Sequence, residues 1–283
     1  MTSAFSILNP GFHPATVFDA DARAFLQAAG IVYGGIYYPD TPYEIGGSGL
    51  WSALNRLVKG LKDSGVWWKL GFWYPLIGGT AFSHKWNLRD PRDTNDAFRQ
   101  EFVGSPLHAA TGIDWNGTTQ YALSHLTPAG VSTEETGVAM GYYSREDIIA
   151  PGEIDMGSNN TPSQSLLLVT KGTDGRPAAR NAGSSMYGEA GPGYGHFMTS
   201  SFGTGTPAAL YRDTVQLVSQ PFEGLLPTNI LTIGGLLIFD VLYGTTRECG
   251  TAWYAKQGLT PVELAAIEQL NREFQLALNR YVV

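Results

Sequence analysis

GVAMGYYSR, residues 137–145, alternates as a strand with two different faces. With a period of two, Val138, Met140 and Tyr142 face one way and Ala139, Gly141 and Tyr143 face the other. Working outward, SQSLLLVTKG, GHFMTSSF, AALYRDTVQLVS and TRECGTAWYAK read as further strands. Their spacing, with Gly, Asn, Pro and Ser clusters between them, is that of a sandwich. From about residue 71 few helix signals interrupt them and no fixed-period repeat is visible, so an antiparallel two-sheet architecture is expected over a parallel α/β one. The most apolar run, NILTIGGLLIFDVLYG at 229–244, contains Asp240 and falls short of the ~18 apolar residues that span a bilayer. It reads as one or two buried strands, and no membrane insertion is expected.

Helices are expected only at the two ends. GLTPVELAAIEQLNREFQLALNRYVV carries Thr260 as N-cap, Pro261 at the first helical position and Glu263 closing a capping box. Leu264, Ile267, Leu270, Phe274 and Leu278 form its apolar stripe, so a helix over 260–280 should cover a sheet face or edge. Near the other end, VFDADARAFLQAAG offers Asp19 or Asp21 as a cap, Phe25 and Leu26 as an apolar side and Gly30 as a stop. GSGLWSALNRLVKGLKDSG offers Ser48 as a cap, a stripe of Leu50, Trp51, Leu54, Leu57, Val58 and Leu61, and Gly65 as a stop. The aromatic, proline-broken residues between them read as a loop or short strands. The organisation expected is a helical arm over 1–70 and a sandwich with its capping helix over 71–283.

Composition narrows the function classes. Of the 283 residues, 43% are apolar, which argues against disorder, and only 15% are charged, well below the usual ~25%. Much of the surface must be uncharged polar or in contact with something else, which suits a subunit of an assembly. A net charge of -7 provides no field to gather a polyanion, so nucleic acid is not an expected partner. Cys249, the single cysteine, excludes an internal disulfide and reads as a small buried hydrophobe. MTSAFSILNPGF lacks the basic and apolar regions of a signal peptide, so Sec export is not indicated. His13, His84, His108, His125 and His196 show neither HExxH nor a close pair, and GxSxG and Walker patterns are absent. No metal ligand, cofactor or catalytic residue is assigned.

Three constellations remain. GGTAFSHKWNLRDPRDT, 78–94, is the most densely charged segment, but Asp90 and Asp93 nearly cancel Lys85, Arg89 and Arg92, and no aromatic ladder follows for stacking bases. It reads as a structural clasp in which Arg89 or Arg92 grips a carboxylate, Trp86 is a buried anchor, and the helical lead-in is joined to a first sandwich strand, NDAFRQEF. EIDMG, 153–157, puts Glu153 and Asp155 on one strand face, as glycoside hydrolysis needs, but the next position on that face is Gly157. Two solvated acids on a surface strand are expected instead. NAGSSMYGEAGPGYGHF, 181–197, reads as a glycine-rich inter-strand loop; its Tyr187, Tyr194 and His196 are the candidate ligand contacts, since tyrosines bury much area with few rotors to freeze.

The succession DADARAFLQAAGI, SALNRLVKGLKDSGVWWKL, YPLIGGTAFSHKWNLRDPRDTNDAFRQEF, HAATGIDWNGTTQYA, GYYSRED, IDMGS, LYRDTVQLV and GLTPVELAAIEQLNREFQLALNR resembles the laminin-G or concanavalin-A-like sandwich module of tailed-bacteriophage virion proteins. The resemblance runs from about residue 18 to the C-terminus and is most specific at GGT..SHKWNLRDPRD. It departs at Asp213-Thr214, where an Asn-Gly-type turn is usual, so that a longer or differently turned hairpin is expected there, and at 32–47, an aromatic insertion. It implies a jelly-roll-like sandwich and a non-enzymatic structural role in a fibre, baseplate or capsid decoration. The implied partners are other virion proteins, copies of itself and a cell-surface glycan. The implied location is the particle surface, after assembly in the host cytoplasm. A glycan-cleaving enzyme on the same fold and a free carbohydrate-binding module are the alternatives.

Overall fold

In the computed structural model, which describes residues 18–31, 49–149 and 153–282, Val138–Ser144 is a strand buried along its whole length. The expected alternation is present, with a different layer covering each face. Val138, Met140 and Tyr142 enter the core between two sheets. Ala139 enters a second core, shared with the helices. Gly141 lacks a side chain where one is impossible: a Cβ there would lie 2.5 Å from the Trp253 indole.

The helices are α1 (Ala20–Ala28), α2 (Leu50–Asp63), α3 (Ala81–His84), α4 (Pro128–Val131) and α5 (Pro261–Ala277). The early strands are β1 (Leu70–Tyr74), β2 (Glu101–Val103), β3 (Leu107–Ala109), β4 (Gly112–Asp114), β5 (Tyr121–Leu123) and β6 (Val138–Ser144). Then come β7 (Met156–Thr161), β8 (Gln164–Val169), β9 (Ala178–Asn181), β10 (Ser184–Tyr187), β11 (Gly195–Ser201), β12 (Pro207–Arg212) and β13 (Val215–Pro221). The chain continues through β14 (Thr232–Ile233), β15 (Gly235–Ile238), β16 (Val241–Gly244) and β17 (Cys249–Ala255). One sheet runs β13-β12-β11-β6-β17-β4-β3, with β1 also on β17; the other runs β10-β9-β8-β7-β14-β5-β2, with the β15–β16 hairpin beside β7. Among the described residues pairing is antiparallel except for a single parallel contact between Gly235 and Met156. The mainly β two-sheet sandwich expected from the sequence is the observed fold.

Helices α1, α2 and α5 cover the outer face of the first sheet, sharing a core with Trp73, Ala139, Met198 and Trp253. Asp19 caps α1, and Gly30 and Gly65 follow α1 and α2 at φ +65° and +75°, as stop signals require. Helix α2 starts from Gly49 without a side-chain cap. Ser48, His13, the N-terminal stretch and the aromatic segment 32–47 lie outside the described residues. At α5 the Thr260 hydroxyl accepts the Glu263 amide and Glu263 reaches back to the Thr260 amide at 2.9 Å, so both halves of the capping box are made. Leu264, Ile267 and Phe274 are buried beneath it, and so are Glu268, Asn271 and Gln275, a polar stripe that the apolar pattern does not announce. Thr260→Ala should cost about 1 kcal/mol in unfolding free energy, read from the urea midpoint; an unchanged midpoint would show that the cap is energetically idle.

Several expectations are corrected. NDAFRQEF is not a strand throughout: Asn95–Ala97 is a 3-10 turn, Phe98 is left-handed at φ 59°, and pairing starts only at Glu101. The run 229–244 is buried only over 231–236 and again at Gly244. It ends in the β15–β16 hairpin, whose tip residues Phe239 and Asp240 have φ of 49° and 63°, and Phe239, Val241 and Tyr243 face solvent. The hairpin at Asp213-Thr214 turns in two residues between the paired Arg212 and Val215, with Asp213 at φ 55°; aspartate tolerates that conformation.

Candidate functional site

Among the described residues the second sheet keeps an open outer face, because α1, α2 and α5 all pack on the first. There the β9–β10 hairpin turns through Ala182 and Gly183, with φ of 48° and 96°, the positive pair that a tight hairpin needs. This short turn fixes the register and aligns two cross-strand rows on one face: Val169, Ala178 and Tyr187, then Leu167, Arg180 and Ser185. With Tyr243 and Ile238 of the β15–β16 hairpin and the 172–176 turn, they line a groove of about 490 Å³. Its floor is apolar through Leu167, Val169 and Ala178. Tyr187 is 58% exposed and Tyr243 42%, so both rings are available. Arg180 lies half-buried on the floor, its Nε donating to Ser185 Oγ at 3.1 Å. Arg176 faces Asp174 at 3.6 Å on the rim.

The structure divides the three candidate ligand residues. Tyr187 is in the groove, on a strand and not in a loop, because residues 184–187 alternate as β10. Tyr194 is half-buried in the following loop and does not line the groove. His196 is fully buried on β11 and closed to any ligand from solvent. Its Nδ1 lies 2.7 Å from Glu268 Oε2 and its Nε2 accepts the Trp253 indole N–H at 2.9 Å, so it ties α5 to the centre of the first sheet. No local motif in the sequence marks Arg180, Arg176 or Tyr243. The alternation in AARN and SSMY is the signal that carries Arg180, but each strand is only four residues long.

Glu153 and Asp155 are not two solvated acids. Asp155 is fully buried and Glu153 nearly so, and both face Arg247, itself fully buried. Arg247 Nη1 lies 3.0 and 3.1 Å from the two Asp155 oxygens, while the nearest Glu153 oxygen is 3.6 Å from Nη2. Thr245 Oγ1, the Thr170 amide and Thr246 Oγ1 donate to the same carboxylates. Burial works against the Arg247 charge, and Asp155 and Glu153 more than offset it, raising the group above the ordinary arginine range. Such an arrangement fixes charge; it leaves no acid pair open to flank a scissile bond.

Within 78–94, Trp86 is buried in the core shared with the helices, and Arg92 forks onto Asp90 at 2.6 and 2.8 Å. Asp93 pairs with Lys85 at 2.9 Å and Arg99 at 3.3 Å. Arg89 grips no carboxylate among the described residues; its guanidinium stacks over the Trp67 and Trp68 rings, at 5.2 and 5.1 Å. The side chain that pins the segment is Asn87, fully buried. Asn87 Oδ1 accepts the Trp73 and Arg89 amides, and its Nδ2 donates to Gly71 O and Ala97 O. Next to it, His84 Nε2 accepts the Gly79 amide, so the proton sits on Nδ1, facing His108 Nδ1 at 3.0 Å. Burial first, then His108 and Arg280, push His84 down to about 3. No group of three or more His, Cys, Asp or Glu is placed to hold a metal among the described residues.

No protein-family model and no curated protein sequence matches the chain. Among solved structures, Trypanosoma rangeli sialidase in complex with a difluoro-KDN is similar at 9% identity and a TM-score of 0.51, over 77% of this chain and 39% of that one. Domain 4 of AbnA, an extracellular arabinanase of Geobacillus stearothermophilus, in complex with arabinotriose, is similar at 15% identity and 0.44, over 71% and 98%. The CBM40 of Ruminococcus gnavus IT-sialidase is similar at 12% and 0.41, over 59% and 97%. At these identities the likeness is one of fold, between β-sandwich domains.

Proposed function

We propose that the chain is a non-enzymatic recognition module that lays a glycan along the outer groove of its second sheet, carried on the surface of a tailed-phage particle. The observation that carries the reading is the groove itself: an apolar floor on the face left uncovered by the long helices, flanked by the exposed rings of Tyr187 and Tyr243. Aromatic faces pack against the C–H faces of sugar rings while the phenol stays wet. The particle location, and partnership with other virion proteins and further copies of the chain, are supported by the motif resemblance and by a charged fraction of 15%. Absence of hydrolysis is supported by the engagement of Glu153 and Asp155 with Arg247.

A glycan array followed by titration calorimetry tests the groove. Tyr187→Ala should weaken binding about tenfold, since aromatic anchors dominate such contacts. Silence on the array, or a Tyr187→Ala variant as tight as the parent, would refute it. New reducing ends from bacterial polysaccharides, lost in Glu153→Gln, would revive the hydrolase alternative. Absence of the chain from purified particles by mass spectrometry would refute the virion location.

A further inference from the structure

Half-buried Arg180 differs in its partners from Arg247, Arg145 and Arg280. Arg247 faces two carboxylates, Arg145 pairs with Glu248 at 2.5 Å, and Arg280 donates to the carbonyls of Pro75, Leu76, Thr111 and Gly250. Arg180 has no carboxylate within ion-pair distance among the described residues, and its one hydrogen bond there uses Nε, to Ser185. That bond orients the guanidinium from behind and leaves the Nη1–Nη2 edge for something that enters the groove. A planar edge with two parallel N–H groups matches a carboxylate. Tyr187 lies on the same face, two residues beyond the Ser185 that sits opposite Arg180, a diagonal of about 7–8 Å between such positions. A single sugar ring spans that distance.

We infer that the groove selects glycans bearing a carboxylated sugar, with Arg180 forking onto the carboxylate while the ring stacks on Tyr187. The inference rests on the glycan-binding reading of the groove. Selection comes from the guanidinium fork and not from a basic field, because Asp174 pairs with Arg176 on the rim and the chain carries a net charge of -7. A densely sulfated polyanion is therefore not the ligand.

The test uses a panel of bacterial surface oligosaccharides rich in uronic acids, each paired with its carboxyl-reduced form, titrated against the full chain and against Arg180→Gln, Arg180→Lys and Tyr187→Ala. The parent should prefer the carboxylated form by about tenfold or more, the worth of charge-assisted hydrogen bonds. Arg180→Gln should erase the preference, bringing the carboxylated form down to the affinity of the reduced one. Arg180→Lys should recover only part, because an ammonium cannot present two parallel donors. Equal affinity for both forms in the parent, or a preference that survives Arg180→Gln, overturns the inference, while a loss on Tyr187→Ala with both forms leaves the groove reading standing. Binding of neither form overturns both. Matching melting temperatures across the set show that the variants fold.

Discussion

Replacing Arg247 with methionine is expected to lower the unfolding free energy by roughly 3–5 kcal/mol, as removal of one member of a buried ion pair does. The mutation leaves Asp155 and Glu153 charged, buried and without their counter-ion, and orphans the Ile148 and Lys171 carbonyls that the guanidinium also serves. For a chain of this size the melting temperature should fall on the order of 10 °C. The cost is attributed to the stranded carboxylates and not to lost packing, which adding Asp155→Asn and Glu153→Gln to the same chain can separate. The triple variant should recover a substantial part of the loss in urea unfolding. A single variant within 1 kcal/mol of the parent, or a triple variant no better than the single, would show that the charges are not held as described.

Acid should destabilise the protein well before its exposed carboxylates titrate fully, and His84 is the main group responsible. Its folded form resists protonation down to about 3, while an unfolded chain takes up that proton near pH 6.5. Between those values the unfolded state binds more protons than the folded one, so stability is fully present above pH 6.5 and falls as the pH drops. The slope is about 1.4 kcal/mol per pH unit, or roughly 3 kcal/mol at pH 4. His108, also lowered by burial, adds in the same direction. His84→Gln keeps an acceptor for the Gly79 amide but cannot be protonated, so its urea midpoint should fall less between pH 7 and pH 4 than the parent's. Parallel pH profiles in the two proteins would remove His84 from the account.

How far the chain could be read without coordinates follows from the range over which each feature is decided. The alternation at 138–143, the Thr260–Pro261–Glu263 cap and the glycine stops at 30 and 65 are settled within a few residues by backbone geometry, so the two-sheet sandwich, the capped terminal helix and its apolar stripe are legible from residue order. The groove could not be read in the same way. Tyr187 was legible as an aromatic in a glycine-rich run, but its place beside Arg180 depends on a hairpin whose strands are four residues each. Periodicity assigns a side chain to a face and says nothing about what covers that face. The tertiary structure alone decided that Asp155 is buried against Arg247, 92 residues away, and that His196 meets Glu268 across 72. It also decided that the helices take the first sheet and leave the second open, because burial and charge pairing are set by contacts between segments distant in the chain.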